Sequence, residues 1–132
     1  MDEDQKIEVY KKISTLENIE DYRELVDELI DRFGDIPIEV ENLMDISYIR
    51  ALASINDIKN ISQGDMDIRL DFVSTEKLSL ELIHYLSKEY GKKIAFDLSN
   101  KPYFIFKVKD TLFDLKFLIE KINGFHKDKS NI

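Results

Sequence analysis

Asp65-Met66-Asp67-Ile68-Arg69-Leu70-Asp71-Phe72 alternates polar and apolar residues with a period of two, the spacing at which successive side chains of a strand point to opposite faces of a sheet. Ile58 and Ile61 lead into Ser62-Gln63-Gly64-Asp65, so the stretch reads as the return of a hairpin with Met66, Ile68, Leu70 and Phe72 inward. A second hairpin repeats the pattern. Ile94, Phe96 and Leu98 alternate inward, Ser99-Asn100-Lys101-Pro102 turns, and Phe104, Phe106 and Val108 alternate on the way back.

Outside the hairpins the period is helical. Residues 75–90, with Ser74 or Thr75 as N-cap, place Leu78, Leu82, Tyr85 and Leu86 on one face and stop at Gly91. Thr111 to Ile122 turns Leu112, Leu115, Leu118, Ile119 and Ile122 inward, with Asn123-Gly124 as the expected stop. Three more helices precede the hairpins. Residues 4–14 carry Ile7, Tyr10 and Ile13 among charges, an amphipathic packing arm within residues 1–16. Asn18 to Phe33 carries the stripe Ile19, Tyr22, Val26, Leu29, Ile30 and Phe33, closed by Gly34. Pro37 then starts a helix over about 38–56, whose wide apolar face of Val40, Leu43, Met44, Ile46, Ile49, Leu52 and Ala53 suggests the most enclosed of the set. The expected fold is α+β: three N-terminal helices followed by two ββα units, with antiparallel hairpins packed against helices. One domain is expected over residues 1–124, with 125–132 as a flexible tail.

The chain has 132 residues, of which 43% are hydrophobic and 35% charged, which fits a globular domain rather than a disordered or fibrous chain. The absence of cysteine removes zinc-ribbon and thiol-nucleophile readings. No apolar run approaches the ~18 residues of a spanning helix, and the opening MDEDQK is acidic, so a cytoplasmic location is expected. The net charge of −8 is uneven: residues 1–45 hold 15 acidic and 5 basic residues, residues 46–132 hold 12 and 14. An acidic first third repels DNA, and any nucleic-acid contact would fall to the basic C-terminal part.

Catalytic and cofactor motifs are absent. Gly34, Gly64, Gly91 and Gly124 are isolated at expected turns or helix ends, so no phosphate-cradling loop exists. His84 and His126 have no Ser or Cys partner that the pattern places beside them, and a structural or solvated role is expected for both. Asp65, Asp67 and Asp71 share one strand side but lack the calcium-loop pattern; a solvated strand face outweighs a metal site. In Pro102-Tyr103-Phe104-Ile105-Phe106-Lys107-Val108-Lys109 the aromatics alternate as core, although such a run also suits a single-strand stacking platform. No enzyme activity, cofactor or metal is expected of this chain.

The most informative feature is acidic. Around the helix 17–33, Glu17, Glu20, Glu24, Asp27, Glu28 and Asp31 cluster opposite the apolar stripe. Like charges at i, i+4 oppose helix formation by a few tenths of a kcal/mol each. Such a face is either simply solvated or complementary to a basic partner. Arg32 lies within pairing reach of Glu28 or of a partner carboxylate.

The run Glu28-Leu29-Ile30-Asp31-Arg32-Phe33-Gly34-Asp35-Ile36-Pro37, followed by Val40-Glu41-Asn42-Leu43, resembles the signature of the C-terminal domain of bacterial transcription-repair coupling factors (Mfd). Tyr10-Lys11-Lys12-Ile13 and Asn18-Ile19-Glu20-Asp21-Tyr22 are similar to that family's lead-in, with Lys6 where an arginine is expected. Lysine keeps the charge but loses the planar fork of a bidentate contact. The resemblance implies a parent protein that is an ATP-driven double-stranded DNA translocase, displacing stalled RNA polymerase and recruiting UvrA through an N-terminal UvrB-like module. It implies that this domain, which carries no motor motif, packs intramolecularly on the UvrB-like module and masks its UvrA-binding surface. On that resemblance the contact falls to Glu28, Asp31 and Arg32, with Glu24 added from helix phase. Phe33, Gly34 and Pro37 belong to the corner itself: an apolar anchor, a residue tolerant of positive φ and a helix starter. The alternative is a nucleic-acid-contacting module using the basic C-terminal half.

Overall fold

A computed structural model describes residues 1–130. Within the span expected to be one domain, the chain forms two compact units, residues 1–52 and 53–132. Its elements follow the anticipated α+β order: α1 (Glu3–Ser14), α2 (Ile19–Phe33), α3 (Ile38–Ile55), β1 (Ile58–Gln63), β2 (Asp67–Phe72), α4 (Leu80–Tyr90), β3 (Ile94–Asp97), β4 (Tyr103–Lys107) and α5 (Thr111–Ser130).

In the first unit, α1 opens with a capping box in which the Asp2 carboxylate accepts from the Gln5 N–H (2.8 Å) and Gln5 Oε1 accepts from the Asp2 N–H (2.9 Å). Two otherwise orphaned donors are thereby satisfied. Asn18 caps α2 through the Asp21 N–H, and Gly34 ends it at φ 70°, a conformation that penalises any residue with a Cβ. The core consists of Val9, Ile13, Leu25, Leu29, Val40 and Met44. Three expectations are corrected here. Ile7 is 50% exposed, while α1 buries Ile13 as expected together with Val9, which lay outside the expected stripe. On α2 the buried edge runs through Leu25 and Leu29, leaving Ile30 half-exposed. The physical reason is that charged side chains of α1 pair with Glu28 and Arg32, which rotates the contact toward that flank of the apolar arc. On α3, Ile46 is exposed, so the helix is less enclosed than its composition suggests. Tyr22 ties α2 to α3, stacking on Tyr48 with centroids 4.5 Å apart and donating to Asp45 Oδ1 (3.3 Å).

In the second unit the two hairpins fuse into one antiparallel sheet of order β1-β2-β4-β3, with Leu70 opposite Phe104 and Ile68 opposite Phe106. The inward set Ile68, Leu70, Phe72, Phe104 and Phe106 is buried, and α4 and α5 cover this face. Tyr90 of α4 meets Phe106 edge-on, and Tyr85 of α4 stacks on Phe125 of α5 at 5.4 Å. The other face is polar, and on it the Arg69 guanidinium lies 3.6 Å from the Tyr103 ring centroid. Met66, expected inward, is 74% exposed because it belongs to the turn, where its carbonyl accepts from Val108 N–H (3.1 Å). Leu98 is likewise exposed beyond the end of β3.

Two helix bounds are corrected. α4 begins at Leu80, not 75, because Ser79 caps it through the Leu82 N–H (3.2 Å), while Ser74 Oγ accepts from the Glu76 N–H (3.3 Å) and holds the preceding residues in a turn. α5 does not stop at Asn123-Gly124. Asn123 is buried, its Oδ1 accepting from Asn56 Nδ2 (3.1 Å), and Phe125 and His126 pack beyond it, so helix replaces the expected tail through residue 130. Residues 131 and 132 lie outside the described residues.

His126 is thus no tail residue. Its Nδ1 lies 2.6 Å from Asn56 Oδ1 and its Nε2 2.8 Å from the Lys77 carbonyl oxygen. Burial holds its pKa below the ordinary imidazole value of 6.5, against the opposing pull of the Lys77 carbonyl; the Lys77 charge adds to the lowering and Asp57 opposes it. As pH falls through about 6.5 the unfolded chain therefore takes a proton that the folded ring refuses. Stability is expected to drop through that window and level off once the folded ring titrates. Urea midpoints at pH 7.5 and 5.5 check this, and His126→Gln should flatten the difference.

Candidate interaction site on the acidic helix

Two different arrangements of charge occupy α2. On the flank facing α1, Glu28, Arg32, Glu8 and Lys12 form a closed ring of alternating sign. Lys12 Nζ lies 2.6 Å from Glu28 Oε1 and 3.8 Å from Glu8, and Arg32 Nη1 lies 3.2 Å from Glu8 and 3.8 Å from Glu28. The Lys12 ammonium, donating to Glu28, holds that carboxyl below the usual carboxylate range, with Arg32 adding to the effect. The Arg32 guanidinium also rests 4.8 Å from the Phe33 ring centroid. These four side chains clasp α1 to α2 and leave each of them about 40–50% accessible.

The opposite flank is different. Glu20, Glu24, Asp27 and Asp31 follow at i, i+4, i+7 and i+11, within about 60° of arc around the helix. All four are exposed, and among the described residues none of them makes an ion pair. Glu17, expected on this face, precedes the helix, and its N–H donates to Asp21 Oδ2 (3.3 Å).

Of the four residues singled out from the sequence, the structure therefore brings Glu28 and Arg32 together in the clasp and leaves Glu24 and Asp31 on the open stripe. Glu8 and Lys12 were the missed partners, and their i, i+4 spacing on α1 was the available signal. Lys6, at the position of an expected arginine, donates to Glu39 Oε1 (3.0 Å) and lies 3.7 Å from Glu3; the hydrogen bond to Glu39 raises its pKa. Asp71 is engaged by Arg69 Nε (2.9 Å) and Asn60 Nδ2 (3.3 Å), while Asp65 sits in the turn. Among the described residues no cluster of His, Asp or Glu is arranged to hold a metal ion, and no helix is long and apolar enough to cross a membrane.

In chain order an acidic α2 closed by the Phe33-Gly34 corner is followed by an antiparallel four-stranded sheet, and the class this chain matches is the TRCF domain. A family model of that description matches residues 1–83, and the chain belongs to this family. The relatives are transcription-repair coupling factors. The Staphylococcus aureus (strain NCTC 8325 / PS 47) protein is 34% identical over 124 residues, 91% of this chain and 11% of that protein. The Rickettsia typhi protein is 34% identical over 105 residues, 80% of this chain and 9% of that protein. A crystal structure of the C-terminal domain of transcription-repair coupling factor superposes with a TM-score of 0.74 at 28% identity, covering 97% of this chain and 84% of that one. The chain spans about a tenth of the length of the curated relatives it matches.

Proposed function

We propose that this chain is a non-catalytic regulatory domain of a transcription-repair coupling factor, and that it docks through the α2 stripe on the UvrB-like N-terminal module of the same protein, masking the surface that recruits UvrA. Its parent would be an ATP-driven translocase acting on double-stranded DNA and displacing stalled RNA polymerase, with this domain holding it at rest. The observation that carries the reading is the exposed stripe Glu20, Glu24, Asp27 and Asp31, which has no ion-pair partner among the described residues, on a helix where every neighbouring carboxylate costs stability. Four aligned charges of this kind match a basic partner surface and set its register. Glu24 and Asp31 are assigned direct contacts. Glu28 and Arg32 keep enough accessible surface to contact the partner while clasping α1.

A salt-dependent titration of this domain against the separately produced UvrB-like module tests the reading, with Glu24→Lys/Asp31→Lys alongside. This pair leaves the clasp intact, so a change in binding is not a change in fold. Binding is expected to weaken with salt and to be lost in the double variant. Binding indifferent to both would move the interface to another face, and no binding at high concentration would remove the docking role.

A further inference from the structure

The clasp between α1 and α2 borders the docking surface. Glu28 stands one turn after Glu24 and three residues before Asp31, the two residues assigned direct contacts, so its carboxylate lies about 40° further round the helix than Glu24. Unlike the stripe beside it, Glu28 is already matched by cations of this chain. Lys12 Nζ lies 2.6 Å from Glu28 Oε1, and Arg32 Nη1 approaches the same oxygen at 3.8 Å. Arg32 is held closer to Glu8, at 3.2 Å, which leaves Lys12 as the main counter-charge of Glu28.

This pairing is not sealed from solvent. The Lys12 and Glu28 side chains are 39% and 41% accessible, so a cation on a partner can reach the carboxylate that Lys12 holds. Two ammonium groups on one carboxylate repel each other, and that repulsion cancels much of what the second one gains. An exposed pair of this kind is held weakly, and losing it leaves the rest of the α1–α2 packing in place. Lys11 is a built-in comparison: it carries the same charge one residue away, is exposed, and among the described residues makes no ion pair.

We propose that Lys12 is an intramolecular competitor for Glu28, so that α1 sets the strength with which the acidic face of α2 holds a basic partner. The inference rests on the docking proposed above and adds its regulation: drawing Lys12 off Glu28 widens the available face from the four carboxylates of the stripe to five. The sign is distinctive. A lysine that only fastened α1 to α2 would weaken docking when lost, because the helix pair would loosen. A competitor strengthens docking when lost, because the partner's cations meet an unmatched carboxylate.

The test titrates the separately produced UvrB-like module with the full 132-residue chain and with its Lys12→Gln, Lys12→Arg, Lys11→Gln and Lys12→Gln/Glu28→Gln variants, each checked for an unchanged fold by circular dichroism. Lys12→Gln is expected to bind about threefold tighter at low salt, with the gain shrinking as salt rises. Lys12→Arg should keep the wild-type affinity, and Lys11→Gln, which removes an equal charge, should gain no more than about 1.5-fold. Adding Glu28→Gln to Lys12→Gln should abolish the gain. In the free chain the Glu28 carboxyl, which the Lys12 ammonium holds below the usual carboxylate range, should titrate closer to that range in Lys12→Gln, as read by carbon-13 NMR. Unchanged or weaker binding of Lys12→Gln, beside loss of binding in Glu24→Lys/Asp31→Lys, would overturn the competition and leave the docking standing. An equal gain in Lys11→Gln would reduce the effect to net charge and overturn it as well. Binding by none of these chains would remove the docking itself, and this inference with it.

Discussion

Phe104→Ala is expected to cost the second unit about 3–5 kcal/mol, the range for truncating a fully enclosed phenylalanine. Phe104 has no exposed surface and sits where the two hairpins meet, with its ring 5.8 Å from Phe72, 5.6 Å from Phe96 and 6.3 Å from Phe106. The truncation loses the transfer term of the ring, opens a void that strands on both sides cannot close, and removes three aromatic pairings at once. A stability of about 0.05–0.15 kcal/mol per residue makes this a large share of what a unit of this size possesses. Urea denaturation followed by near-ultraviolet circular dichroism measures it. Phe113→Ala on the exposed side of α5 is the control and should stay within about 0.5 kcal/mol. A loss below about 1 kcal/mol for Phe104→Ala would mean that the hairpins do not pack as a single core.

In the full-length parent, Glu24→Lys/Asp31→Lys is expected to raise apparent affinity for UvrA by about a hundredfold. On the docking proposed above, the tethered domain would compete with UvrA at a high effective concentration, and the closed state would suppress apparent affinity by the closed-to-open ratio. Each reversal turns an attraction across the proposed interface into a repulsion, and two together outweigh a tether advantage of that order. Titration of UvrA against the wild-type and double-variant proteins reads the ratio directly. Unchanged affinity with an intact fold would sink the masking role. Glu28→Lys is the less informative variant, because it also sets a third cation beside Lys12 and Arg32 with only Glu8 to balance them.

Much of this fold was legible because local rules agreed with the final structure. The alternation over 67–72 and 103–107 became β2 and β4, and Gly34 and Gly91 end α2 and α4 with φ of 70° and 55°. What was not legible depended on partners distant in sequence. Asn123-Gly124 has the composition of a helix stop, but Asn56, 67 residues away, engages Asn123 and lets α5 continue. The apolar arc of α2 was visible, yet which edge would be buried depended on α1 approaching from the side of Glu28 and Arg32. The same pairing divided the candidate site. Helix phase placed all its acids on one surface, while only tertiary contacts with Glu8 and Lys12 separate a clasp from a free stripe.

The order β1-β2-β4-β3 joins each hairpin to the other through its second strand, leaving the first strands outermost. An outermost strand is an invitation to uncontrolled growth, since its unpaired amides can template another chain. Both borders are blunted against that. β1 breaks register between Ile58 and Asn60 and presents Lys59, Asn60, Ser62 and Gln63 to water, whereas β3 has only four residues before the chain turns away after Asp97. The sheet is thereby finite by construction: its hydrophobic strands are sealed in the middle, and its margins are too irregular on one side and too short on the other to recruit a neighbour into an amyloid-like stack.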